Sequence, residues 1–306
     1  MMQDTERQLL KIIADMDGIP DGAYNIRANG VSAERGTTAN IDIKNKTDKP
    51  GIDIIVRAGT KGETVHIPVI ISESGLTECV YNDFYIGEDA DVTVLAGCGI
   101  HNCGDGESRH DGIHTFYIGK NAHVKYIERH YGEGDGKGGK MMNPTTVIHI
   151  DEGGFMEMET TQIKGIDSTK RVTRATVGKD AALVIHEKLM THGEQHAETD
   201  FSVDLNGENA GTNVVSRAVA KDTSTQIFRS NINGNTACNG HTECDAILMD
   251  KARVCAIPEL NANHLDAALI HEAAIGKIAG EQLTKLMTLG LTEQQAEEEI
   301  VNGFLK

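Results

Sequence analysis

Five segments of this chain share one design: an apolar residue, then Gly, Asp or Asn, a polar pair, a small residue and an alternating strand. They are IGEDADVTV from Ile86, IGKNAHVKY from Ile118, IDEGGFMEM from Ile150, VGKDAALVI from Val177 and LNGENAGTNVV from Leu205. Their starts lie 32, 32, 27 and 28 residues apart, and MDKARVCAI from Met249, a further 44 on, reads as one more. A unit of this length cannot bury its own apolar face, so such repeats stack into a solenoid. Here each unit is made of strands alone, and stacking it generates parallel sheets. The expected fold is therefore mainly β, a parallel β-helix with aliphatic side chains stacked coil upon coil. A β-sandwich is the alternative, but its turns would recur every 8–12 residues or so and favour Asn-Gly pairs.

The flanks read differently. Residues 5–17 form an amphipathic helix with Leu9, Ile12, Ile13 and Met16 on one face and a Thr5/Gln8 capping box. Gly18, Pro20 and Gly22 stop it. From Tyr24 the period becomes two, with Ile41, Ile43, Ile52, Ile54, Val56, Val65, Ile67 and Val69 on one face. After Pro258 the pattern turns helical: Ile275, Ile278, Ala279, Leu283, Leu286 and Met287 share a face, Gly290 stops that helix, and Thr292 with Gln295 caps a second. The divisions are thus an N-terminal helix (1–23), a β-helix core (24–260) and a helical C-terminal segment (261–306), whose outer face is expected to dock a partner protein. The glycine-rich stretch from Gly132 to Gly139 lacks the Ser or Thr of a phosphate loop and reads as a flexible surface loop.

Charge excludes some functions. With 29 Lys plus Arg against 46 Asp plus Glu, the net charge is −17, the wrong sign for a phosphate backbone. No apolar run is long enough to span a bilayer, and no secretory leader is evident, so a cytoplasmic protein is expected. Cys79, Cys98, Cys103, Cys238, Cys244 and Cys255 then read as thiols rather than a disulfide framework. A carbohydrate-active β-helix enzyme needs an aromatic platform; this chain has no Trp and only six Phe and six Tyr.

The densest set of metal-ligating residue types comes late: Cys238, His241, Glu243, Cys244, Cys255, His264, His271 and Glu272. Thiolate, imidazole and carboxylate together suit iron or zinc. His271 and Glu272 follow Cys244 by 27 and 28 residues, close to the repeat, so stacking brings the three to neighbouring coils. The plainer reading makes Cys98, Cys244 and Cys255 small buried residues and His271-Glu272 the start of the next helix. For Cys244 that reading is weaker, because it sits between Glu243 and Asp245. A second set, Cys98, His101, Cys103, Asp105, Arg109, His110, Asp111 and His114, reads as a polar loop, with a transient metal or persulfide entry site as the alternative. No nucleotide-binding or hydrolase motif is present.

The segments GNTACNGHTECDAILMD, AIPEL, LIHEAAIGKIAGEQL and LGLTEQQAEEEIVNGF, with QIKGIDSTKR, LMTHGEQHAETD and VVSRAVAKDTSTQIF upstream, resemble the SufB/SufD family over residues 81–306. The resemblance implies a right-handed parallel β-helix that holds a transient iron–sulfur cluster and passes it to apo-proteins. It implies an ABC-type ATPase partner, SufC, on the C-terminal helices, sulfur supplied by a cysteine desulfurase, and no enzymatic activity of the chain's own. The family's Cys-Asp cysteine matches Cys244, and its His-Glu pair matches His271 and Glu272. A further acid that SufB chains carry before that pair is replaced by Ile270, and the long SufB N-terminal region is missing. A homodimer filling both the SufB and the SufD places is expected. A SufD-like structural subunit without a cluster is the alternative.

Overall fold

The computed structural model describes residues 4–306. In chain order the elements are α1 (Asp4–Ala14), β1 (Ala23–Ala28), β2 (Val31–Gly36), β3 (Ile41–Asn45), β4 (Gly51–Val56), β5 (Lys61–Ile71), β6 (Thr77–Ile86) and β7 (Asp91–His101). There follow β8 (Ser108–Ile118), β9 (His123–Glu133), β10 (Lys140–Met142), β11 (Thr145–Ile150), β12 (Phe155–Lys164), β13 (Ser168–Val177) and β14 (Ala182–Thr191). The chain closes with β15 (His196–Leu205), β16 (Gly211–Ala220), β17 (Thr225–Gly234), β18 (Cys238–Leu248), β19 (Arg253–Ala262), β20 (Ala267–Gly276), α2 (Gly280–Thr288) and α3 (Glu293–Phe304). Successive long strands alternate between two ten-stranded sheets, and each pairs in parallel with the strand two ahead, the pattern of a parallel β-helix with two strands per coil.

The repeat forms one corner of every coil. Gly59, Asp89, Asn121, Gly153, Asp180 and Asn209 occupy equivalent places there with left-handed backbone, φ between +53° and +71°. Gly, Asn and Asp adopt that conformation at least cost, which is why the motif keeps them. The amide of each donates to a carbonyl one coil on, as from Asp89 to Lys120 at 2.9 Å and from Asn121 to Glu152 at 3.0 Å. The small residue that follows, Ala90, Ala122, Ala181 or Ala210, is fully buried in the bend. The Met249 segment belongs to the opposite corner, with Gly193, Asp222 and Asp250 left-handed in its column. That explains why its spacing from Leu205 broke the period.

All eight aliphatics expected to alternate from Ile41 to Val69 are buried. The core between the sheets continues through Phe84 and Phe116, stacked at 4.2 Å, to Ile148, Leu183, Val203, Val214 and Ile232. Helix α1 lies on the outside of the first sheet, where Gly97 and Gly99 make room: a Cβ on Gly97 would stand 2.6 Å from the Ile13 carbonyl oxygen. The helix is described from Asp4 onward, so Thr5, expected to cap it, lies within it.

Two expectations are corrected. The strand pattern does not end at Pro258. Strand β19 runs through Pro258, β20 runs to Gly276, and helix begins only at Gly280, so His271 and Glu272 are strand residues and the coil stack passes the expected boundary at 260 by a full turn. Proline is tolerated because β19 is an edge strand, paired on one side only. Second, the glycine-rich stretch is not a free loop. Gly136 and Gly138 donate to Asn102 and Gly104 of the preceding coil at 3.1 and 2.9 Å, and a Cβ on Gly138 would meet the Gly106 carbonyl oxygen at 2.0 Å.

Helix α3 starts with the expected Thr292/Gln295 capping box and Gly290 ends α2 at φ +98°. Val301 and Leu305 of α3 pack on Val219, Met190, Ile247 and Met249, so the C-terminal helices lie along the solenoid wall. No residue of α2 is buried.

Candidate metal centre at the open end of the solenoid

Strand β18 presents Cys238, Gly240, Thr242, Cys244 and Ala246 to the interior, and Asn239, His241, Glu243 and Asp245 to the outside. In β20 the inward residues are Ala267, Leu269, His271 and Ala273, and Glu272 points outward. The register pairs Thr242 with His271, Glu243 with Glu272, and Cys244 with Ala273. Cys244 and His271 therefore share the inner face of adjacent strands, one diagonal step apart. Glu272 lies on the opposite face. The strand period of two divides the adjacent His and Glu between inside and outside, so the expected trio does not face one point within a single chain.

On the inner face, Cys244 is 1% exposed. Its acidic neighbours point away, so its setting is not the polar one its flanking residues suggested. Burial pushes its thiol up to about 12, with the negative charges of Glu187 and Asp245 adding to the effect. His271 Nδ1 is buried without a hydrogen-bond partner among the described residues. A buried imidazole nitrogen lacking a partner costs free energy and is suited to accept a metal.

The outer face carries a group that sequence reasoning placed only in a wider list. One ligand atom each from His241, Glu243 and Glu272 lies within 4.8 Å of the others. His241 Nδ1 bonds Asn213 Oδ1 at 2.8 Å, which directs Nε2 toward Glu272 Oε2 at 3.3 Å. Burial pushes the Glu243 carboxyl up, and its hydrogen bond with Asp245 adds to that. Alternation in β18, combined with the 29-residue offset between Glu243 and Glu272, is the signal that could have found this trio.

The other two expected ligands lie elsewhere. Cys238 is buried in the core at the start of β18, six residues or about 20 Å from Cys244. Cys255 is exposed on the outer face of β19, in the second sheet, beside Ile227. Neither reaches Cys244.

A buried polar ladder inside the coils was also missed. Arg27 donates to Glu78 at 2.7 Å, and Glu78 also bonds His110 at 3.1 Å. His114 sits between Asn82 and Tyr126, whose hydroxyl donates to Glu128 at 3.0 Å. Burial opposes the charge of Glu128, but Arg171 and His130 outweigh it and hold the carboxyl well below its usual range. Glu187 accepts from Thr199 at 2.9 Å and Ser216 at 2.7 Å, yet burial still pushes it up. Its members alternate with aliphatics in strands, so period alone could not tell them from outward polar residues.

Among the described residues no helix is long and apolar enough to cross a membrane. Residues 72–304 match the family model described as SUF system FeS cluster assembly, SufBD core domain. An iron–sulfur cluster assembly SufBD family protein of Methanocaldococcus jannaschii is 32% identical over 265 residues, covering 86% of this chain and 83% of its own length. Family proteins of Archaeoglobus fulgidus and Pyrococcus horikoshii are 29% and 24% identical, covering 80% and 92% of this chain and 66% and 81% of their own. With the strand-only coils and the cysteine and histidine of the last turns in place, the chain belongs to the SufBD family of iron–sulfur cluster assembly proteins.

Proposed function

We propose that this chain is a scaffold that receives iron and sulfur, holds a nascent iron–sulfur cluster at the open end of its solenoid and transfers it to apo-proteins. The observation that carries the reading is the inner face of the last coil, where the buried, unpartnered His271 Nδ1 lies diagonally from Cys244. Iron bound there would displace the thiol proton that burial now retains. Glu272, the third expected ligand, lies on the other face of the same edge strand and would meet such a cluster only across an assembly of two chains.

The rest of the assembly follows from exposed surfaces. Strands β19 and β20 are the outer edges of both sheets, and Leu265 between them is fully exposed. A second copy of the chain set edge to edge there gives the homodimer, and its donors would meet those of the first. Helix α2 leaves Met287 and Leu289 at 44% and 77% exposure, an apolar strip suited to a SufC-type ABC ATPase. Sulfur would come from a cysteine desulfurase through its carrier, in the reducing cytoplasm where the six thiols stay free.

Anaerobic reconstitution with ferrous iron and sulfide tests the reading. Wild type is expected to gain visible charge-transfer absorption that oxygen bleaches. Cys244→Ser should lose most of it, and Cys255→Ser should keep it. Equal loading by Cys244→Ser would remove Cys244 from the site, and a wild type that loads no cluster would leave the second reading, a SufD-like structural subunit, which the deep burial of Cys244 favours. Met287→Lys combined with Leu289→Lys, which charges that strip, should abolish co-purification with the ATPase.

A further inference from the structure

We propose that His241, Glu243 and Glu272 form a separate binding site for a divalent first-row metal ion, on the outer face of the last two coils. That a cation binds there rests on geometry alone; that the cation is ferrous iron in the cell rests on the cluster-assembly reading above.

The strand period sets the site. In β18, His241 and Glu243 point outward while Thr242 and Cys244 point inward. The register places Ile270 beside His241 and Glu272 beside Glu243, so Glu272 joins the same outer patch from β20. One ligand atom from each of the three lies within 4.8 Å of the others. Donors that share an ion at about 2.0–2.2 Å stand roughly 3–3.5 Å apart. His241 Nε2 and Glu272 Oε2 are already at 3.3 Å, and Glu272, its side chain 66% exposed, has room to turn toward Glu243.

Two features of the patch call for a positive ion. The first is the imidazole. Its Nδ1 is engaged by Asn213 Oδ1 at 2.8 Å, so that nitrogen carries the proton and Nε2 presents a lone pair. A lone pair and a carboxylate oxygen facing each other at 3.3 Å repel unless a proton or a metal ion stands between them. The amide behind the ring is the kind of partner that orients a metal-binding histidine. The second feature is the carboxylates. Glu243 and Glu272 stand directly opposite each other on paired strands, and Asp245 adds a third acid beside Glu243. Like charges so placed destabilise a strand pair. Among the described residues neither glutamate has an ion pair with Lys or Arg, and Arg217, one coil back, offsets part of the charge from a distance. A divalent ion between them turns the repulsion into ligation.

The donor set narrows the ion. One imidazole nitrogen with two carboxylates suits ferrous iron, manganese or zinc better than magnesium or calcium, which take oxygen ligands. No sulfur takes part, because Cys244 faces the interior. Three protein donors leave coordination positions to water. Glu243 also lines a groove of about 430 Å³ on the same face, with His186, Lys188 and Arg217, which opens the site to solvent. The patch fits a holding place for iron that has not yet entered a cluster, on the far side of the same two strands.

The test uses the full chain, freed of metal and kept anaerobic, with Co(II) as the spectroscopic probe and Fe(II) in equilibrium dialysis. Wild type is expected to bind Co(II) with weak visible ligand-field bands, and Cys244→Ser should keep them, because the outer site has no sulfur. Asn213→Ala, which releases the ring without removing a ligand, should weaken binding of either ion about tenfold, and His241→Gln or Glu243→Gln about a hundredfold. Neither His241 nor Glu243 has a place in the cluster reading, so their variants probe the outer site alone, and a failure of the scaffold reading at Cys244 stays distinct from a failure here. Unchanged affinity in both His241→Gln and Glu243→Gln, ligand-field bands that vanish in Cys244→Ser, or no binding at all, which would leave an imidazolium–carboxylate pair only, would overturn the proposal.

Discussion

The two ends of the solenoid are finished in different ways. At the N-terminal end both sheets stop in short antiparallel strands, β2 and β3, the first carrying a register shift at Ile26/Arg27. Arg35 on β2 bonds Asn25 and Asn45, tying the strand to its neighbours. Charges, short length and irregular register are the devices that keep an edge from recruiting another strand. At the C-terminal end β19 and β20 are ten residues each, regularly paired on one side and bare on the other. Glu272 is the one charged residue of β20. The inward side chains Leu260 and Leu269 are only partly buried there, whereas Phe201 and Val203, a few coils back, are closed off. The lesson is that the same coil, repeated, is a closed wall in the middle and an unpaired edge at one end. The candidate ligands sit at the unpaired end.

The largest test of that contrast is energetic. Phe201→Ala, in the closed middle, should cost about 3–5 kcal/mol in urea denaturation, whereas Leu269→Ala, at the open end, should cost about 1 kcal/mol or less in the isolated chain. Similar losses would mean that the last coil is as closed as the others.

Next comes acid sensitivity of the middle coils. Burial lowers the His114 ring to about 4, which keeps it neutral between Asn82 and Tyr126. Below pH 6.5 the unfolded chain takes up a proton that the folded one refuses, so stability falls as pH drops toward 4, by about 3 kcal/mol from this residue. His114→Gln should flatten that slope in urea titrations between pH 6.5 and 4, whatever it does at neutral pH.

The open end predicts association. Ile270→Lys places a charge on the outer face of the exposed β20, and the dimer dissociation constant measured by analytical ultracentrifugation should rise about tenfold or more. An unchanged constant would move the dimer contact away from this edge. The smallest effect is expected at the flank. Thr292→Ala removes a capping box from α3 and should lower stability by about 1 kcal/mol, with a small loss of helical circular dichroism and an unchanged solenoid.

Most of the coil architecture was legible. The period of two gave the inward aliphatics from Ile41 to Val69, and the repeat marked each corner, although the left-handed residue is the second of its polar pair and not the Gly, Asp or Asn that follows the apolar residue. The end of the stack was not legible, because Ala-rich β20 also fits a helical period and only its pairing with β18 makes it a strand. The site was half legible. Residue types and spacing located Cys244, His271 and Glu272 on adjacent strands, but they carried Cys238 and Cys255 along, which lie on other parts of the surface and core.

What the sequence determined by itself is local: where the backbone must turn left-handed, which face of each strand is apolar, and that a strand-only unit must stack. Those follow from sterics and from the alternation of side chains within a few residues. Only the tertiary structure decided which residues of different coils stand opposite one another. A register of 29 residues set Thr242 against His271 and Glu243 against Glu272, and one of 32 set His101 against Glu133. A shift of a single residue in any of these pairings would exchange inside for outside, so the chemistry of the candidate site depends on contacts between coils that no local pattern records.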